Sequence, residues 1–178
     1  MGRISDIRQV MELIAKTHPG IGHDPDGMPK KVRFYGYNMD ESNTGDRDNM
    51  SFPRMGMATK VQTGLTGRYE TMTASVRDFT YIEIILIDSV PTNDYNGEEG
   101  CYDRMKVVMD DIITWISYAV MSSIKFKYPA LSYINVSQIS YARVASMTGD
   151  KACGFKMTIP FIAEMEWTDA NPLNSLNA

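Results

Sequence analysis

Hydrophobic positions along the chain follow two periods. Ile7, Val10, Met11 and Ile14 recur at i, i+3, i+4 and i+7, one face of a helix. The spacing predicts a short amphipathic helix, capped by Ser5, with Asp6 at the positive end of the dipole and His18-Pro19-Gly20 as its stop. A longer stripe runs through Met105, Val108, Met109, Ile112, Ile113, Ile116, Ala119 and Val120, bordered by Trp115, and predicts a helix over residues 102–124. Burying that stripe against a sheet is worth ~1.5–3 kcal/mol for each large side chain removed from water. The opposite face carries Asp103, Asp110 and Thr114, together with Val107, Tyr118 and Met121, three apolar positions that a monomer core does not need.

Elsewhere the period is two. Residues 31–37 read as a strand, with Val32 and Phe34 on one side and Arg33, Tyr35 and Tyr37 on the other. Residues 75–88 are the strongest strand, and Phe79, Tyr81, Ile82, Ile84, Ile85, Leu86 and Ile87 make it apolar on both faces towards its end, as a covered central strand requires. Residues 57–69 alternate partially and read as a long, exposed strand or hairpin arm. Residues 132–146 and 153–167 form a hairpin around Thr148-Gly149-Asp150-Lys151, with Phe155, Met157, Ile159 and Phe161 on one face. Pro160 removes a ladder donor, which places it at an edge or a bulge.

The order of these elements predicts an α+β fold: a mixed or antiparallel sheet packed by one long helix and a short N-terminal helix, with long extended loops. Residues 1–167 read as a single domain carrying an extended loop and arm over 38–69, and residues 168–178 as an arm or disordered tail. Residues 38–54 are polar and without period, and a structureless loop of that length is usually functional or disordered.

Composition narrows the function. Hydrophobic content of 43% and charged content of 22% are those of an ordinary globular domain. A net charge of −4, with Lys30, Lys31 and Arg33 as the one tight basic cluster, disfavours a protein that lives on phosphate contacts. The opening Met1-Gly2-Arg3-Ile4-Ser5-Asp6 lacks the apolar run of a secretory signal, and no stretch approaches the ~20 apolar residues of a membrane span. Cys101 and Cys153 could form one disulfide, but they define neither a framework nor a metal site, and reduced thiols are the preferred reading.

Catalytic chemistry has little to stand on. His18 sits at a helix C-terminus, where its charge suits the dipole, and His23 is near Asp24 and Asp26 without further ligands at metal spacing. No serine lies in a nucleophile elbow, Gly20-Ile21-Gly22 lacks the helix and third glycine of a dinucleotide loop, and Gly64-Leu65-Thr66-Gly67-Arg68 lacks the ending of a phosphate loop. Asp40, Glu41, Asp46 and Asp48 do not have the spacing of a calcium loop. Adjacent Asp110 and Asp111 point about 100° apart on a helix. The reading is therefore no enzyme, no cofactor and no metal.

The order helix, strand, long loop, strand pair, long helix, hairpin resembles tailed-bacteriophage tail terminator and head–tail joining proteins, the neck-ring subunits. The resemblance rests on the opening helix from Ser5 to Ile14, the strand at residues 31–37, the strand from Phe79 to Asp88, the helix at residues 102–124 and the closing strand from Phe155 to Trp167; the long loop and the arm depart from compact members. It implies a homo-oligomeric ring, six-fold or twelve-fold, that lines the channel through which DNA passes without sequence-specific contact. Its partners would be neighbouring portal, connector or tail tube proteins, with no membrane. Such a protein belongs to the virion neck or tail and is made in the host cytoplasm. Candidate interface residues are Asp40, Glu41, Asp46 and Arg47 in the loop, Met57, Val61 and Leu65 on the arm, and Val107, Tyr118 and Met121 on the helix. The rival is a small α+β ligand-binding module or enzyme that uses a sheet face lined by Tyr35, Tyr37 and Tyr81.

Overall fold

The structure, a computed structural model, describes residues 4–36, 52–61, 76–90, 97–144 and 152–165. Helix α1 spans Ile4–Thr17 and buries Ile7, Val10, Met11, Ile14 and Ala15, the predicted stripe plus one residue. Ser5 lies inside this helix and is not its cap. Beyond α1 the chain folds back at a bridge between Asp24 and Lys31, whose backbone groups bond reciprocally at 2.8 and 2.9 Å. That bridge takes Lys31 out of the first strand, so β1 is only Phe34–Gly36.

Four further strands complete the sheet: β2 (Arg54–Val61), β3 (Val76–Ser89), β4 (Ser140–Val144) and β5 (Ala152–Met165). The order is β1-β2-β3-β5-β4, with β1 parallel to β2 and every other pair antiparallel. This is the mixed sheet of an α+β fold. The β4–β5 pair is the predicted hairpin; its turn, and the tail beyond residue 165, lie outside the described residues.

Helix α2 spans Gly97–Met121, five residues earlier at its start and three shorter at its end than the stripe alone predicts. Glu98 and Glu99 in its first turn favour the early start by facing the positive end of the dipole. At the other end the Ser122 hydroxyl donates to the Ala119 carbonyl at 3.4 Å and accepts Ile124 N–H at 3.3 Å, turning the chain into a one-turn helix, α3 (Ile124–Lys127). Two 3₁₀ turns follow, Pro129–Tyr133 and Val136–Gln138. The second falls where loose alternation predicts strand. There Ser137 Oγ donates to Asn135 Oδ1 at 2.8 Å and Gln138 N–H reaches the Asn135 carbonyl, local bonds that compete with a ladder.

Both helices cover one face of the sheet. Met55 and Met57 of β2, Ile82, Ile84 and Leu86 of β3, and Cys153, Phe155, Met157, Ile159 and Phe161 of β5 share a core with Met105, Val108, Met109, Ile112, Ile116 and Ala119 of α2. Alternate residues on the far face, Ala58, Glu83 and Ile85, are also buried, as expected for a central β3. Pro160 sits in an inner strand, yet β4 stops opposite Thr158. The Pro160 carbonyl accepts Asn135 N–H on the side away from β3. In an antiparallel strand the nitrogen of that residue points the same way, so its missing N–H removes no bond to β3.

Candidate functional site

The outer face of α2 gathers three of the predicted interface residues. Val107, Tyr118 and Met121 are 61%, 64% and 80% exposed. At about 100° per residue they fall within an arc of roughly 60°. Phe126, just past the end of α2, is exposed as well. Tyr118, Met121 and Phe126 group large apolar side chains near the C-terminal end of α2, a surface suited to a partner, while Val107 lies about 21 Å back from Met121 along the same face, beyond Asp110, Asp111 and Thr114. The sequence reading missed Phe126, although an aromatic set between Lys125 and Lys127 was a usable signal.

Further toward the N-terminus of α2, a trough of about 350 Å³ opens between that helix and β4. Its walls are Tyr102, Asp103 and Lys106 from α2 and Tyr141 and Arg143 from β4, with Phe155 behind. Tyr102 and Tyr141 both meet the Phe155 ring edge-on, at 5.7 and 6.1 Å between centroids. Each also carries a cation on its face: Arg143 lies 4.6 Å from the Tyr102 centroid and Lys106 lies 5.0 Å from that of Tyr141. The Tyr102 hydroxyl donates to the Val144 carbonyl at 3.2 Å, and burial raises its pKa above the ordinary 10.0. Lys106 is held by Asp110, with Nζ 2.6 Å from Oδ2, and that hydrogen bond raises its pKa. These residues come from segments some forty positions apart and carry no local pattern, so periodicity could not have assembled them.

The remaining predicted site residues are distributed differently. Met57 is 5% exposed and packs into the core from β2, between β1 and β3, so the expected exposed arm is at this point an inner strand. The reason lies in the register: Met57 stands opposite Ile84 and turns to the helices with it. Val61 ends β2 opposite Thr80. Asp40, Glu41, Asp46, Arg47 and Leu65 lie outside the described residues, as does Tyr37. Tyr35 and Tyr81 share the sheet face turned from the helices, and the Tyr35 ring lies so close over Gly56 that a Cβ there would be 3.1 Å from it.

Both histidines have structural partners. Gly20 N–H donates to His18 Nδ1 at 3.0 Å, which places the ring proton on Nε2, 3.2 Å from Asp111 Oδ2, so the imidazole ties α1 to α2. His23 Nδ1 accepts two backbone N–H groups, from Arg33 and Phe34. Glu83, a buried acid on the far face that sequence reading did not single out, lies 3.4 Å from Lys156 Nζ. Among the described residues no group of three or more His, Cys, Asp or Glu side chains is placed to hold a metal ion, and no helix is long and apolar enough to cross a membrane. No protein-family model matches the chain, and no curated protein matches it.

Proposed function

We propose that this chain is a structural subunit of a tailed bacteriophage, assembling into a ring at the head–tail connector or tail terminator, around the channel that DNA traverses. The observation that carries the reading is the exposed apolar group of Tyr118, Met121 and Phe126, with Val107 further back on the same face of α2. The element order of helix, strands, long helix and hairpin supports it by resemblance. A closed ring needs two different surfaces that meet head to tail. Tyr118, Met121 and Phe126, toward the C-terminal end of α2, supply one, and the α2–β4 trough nearer its N-terminal end supplies the other. In this reading the protein acts by assembly, without catalysis or a cofactor, and its net charge of −4 suits a channel that does not hold DNA. The test is sedimentation velocity on the wild type and on a Tyr118→Ser, Met121→Ser double variant: the wild type forms a large closed species, and the variant loses it while keeping its fold.

One observation favours a second reading, a small ligand-binding module. The trough's volume lies at the lower end of the range of ligand sites, and two tyrosines with cations on their faces line it. A thermal-shift screen with aromatic carboxylates tests it: a saturable rise in midpoint that Arg143→Ala abolishes supports a ligand site, and a monomer in sedimentation would accompany it.

A further inference from the structure

Cys101 and Cys153 are each 0% exposed and free, one near the start of α2 and the other at the start of β5. Their surroundings interlock. Cys101 Sγ lies 3.3 Å from the Cys153 carbonyl oxygen and 3.4 Å from that of Asp88. Cys153 Sγ lies 3.6 Å from the carbonyl of Glu98, three residues before Cys101. Each sulfur thus sits against the backbone that carries or closely precedes the other cysteine. Neither belongs to the stripe or the trough, and their contacts connect α2 to the ends of β3 and β5.

We propose that Cys101 and Cys153 form a latent disulfide clip, which a two-electron thiol oxidant closes within one chain, fastening the first turns of α2 to β5. The chemistry balances with a peroxide as oxidant. One thiol gives a sulfenic acid and water; the second thiol then displaces a second water to form the S–S bond. Cys101 Sγ lies 3.3 Å from the carbonyl oxygen of Cys153 itself, so a sulfenic acid on either residue has its resolving thiol on the adjoining one. Burial, with help from the Cys101 thiol, pushes the Cys153 thiol up to about 12, so almost no thiolate is present near neutral pH. The pair therefore rests as a dithiol, and oxidation waits on a local opening of the α2 start. Closing the clip joins residues 52 positions apart, a loop long enough for the cross-link to restrict the unfolded chain substantially.

The test uses diamide on the full chain, since the 14 methionines would take oxygen from peroxide. Diamide accepts the two thiol hydrogens at its N=N bond and leaves a disulfide. The expected result is an intact monomer lighter by two hydrogens and a single peptide joining Cys101 to Cys153. Thiol titration in denaturant should fall from two groups to none and be restored by dithiothreitol. The thermal midpoint of the oxidised form should rise by roughly 5–10 °C. The Cys101→Ser variant should show no loss of two hydrogens. Disulfide-linked dimers in place of the intramolecular bond, or two thiols still free after prolonged exposure of the wild type, would overturn the proposal.

Discussion

His23 Nδ1 accepts the backbone N–H of Phe34 at 3.1 Å, and that of Arg33 at 3.0 Å. A ring nitrogen can accept only while it carries no proton. His23 is 6% exposed, and its own backbone N–H reaches the Ala15 carbonyl near the end of α1, so one residue, by its ring and its backbone, fastens β1 to that helix. Burial lowers the imidazole pKa below its ordinary 6.5, against the opposing pull of Glu12 on α1 and Asp24 beside it; Lys16 adds to the lowering. The unfolded chain therefore takes up this proton more readily than the folded one. The contribution of His23 is present in full above the unfolded value of 6.5 and is lost as the pH falls toward the lower folded value. Chemical denaturation at about pH 7.5 and about pH 5.5 should show a lower midpoint at the acid end. In His23→Ala the difference should shrink, with stability lower by about 2 kcal/mol at neutral pH because two backbone donors lose their acceptor.

Gly154 faces the backbone of β3 with no room for a side chain. A Cβ there would stand 1.9 Å from the Leu86 carbonyl oxygen and 2.9 Å from the Ile87 Cα. Neither atom is the movable end of a side chain, so β3 and β5 would have to separate. Gly154→Ala is expected to cost roughly 2–3 kcal/mol, read as a drop in urea midpoint at unchanged slope.

Lys156 stands beside the buried carboxylate of Glu83 across the β3–β5 pair, with 34% of its own side chain exposed. Lys156→Met removes the cation and leaves the acid in place. The expected loss is about 1–3 kcal/mol, and Glu83→Gln in the same background should recover part of it. A double-mutant cycle on thermal midpoints reads the coupling.

Much of this architecture was legible because periodicity survives wherever one face of an element is buried. The stripe on α1 predicted its buried residues, six of the eight stripe residues on α2 are buried with Ile113 and Val120 half-buried beside them, and the two apolar faces of β3 predicted a central strand. Legibility failed where local hydrogen bonds competed with the pattern, as at Asn135 and Ser137, or where a backbone bridge captured a residue, as at Lys31. Met57 was misplaced because partial alternation does not say which neighbours a strand will have; pairing with Ile84 on one side and Gly36 on the other made it core. On the outer face of α2, Val107, Tyr118 and Met121 could be read as surplus to the core from helix geometry alone. The trough could not, because Lys106 meets Tyr141, and Tyr102 meets Arg143, only after the sheet has folded.

The stripe itself should be silent in folding. Val107→Ser, Tyr118→Ser and Met121→Ser each change a side chain more than half exposed, and each is expected to leave the unfolding midpoint within about 0.5 kcal/mol of wild type. Ile112→Ala, on the opposite face and 1% exposed, should instead cost about 2–5 kcal/mol. Denaturation curves of the four variants side by side separate a face that stabilises the monomer from one that is free for a neighbour.

The most direct test of assembly is the mass of the wild-type chain by light scattering on a sizing column, followed by electron micrographs of the heaviest peak. A closed species many times the 20.1 kDa of one chain is expected, seen end-on as a ring with a central channel. A single peak at one chain mass across the whole accessible concentration range, with no rings in the micrographs, would contradict it.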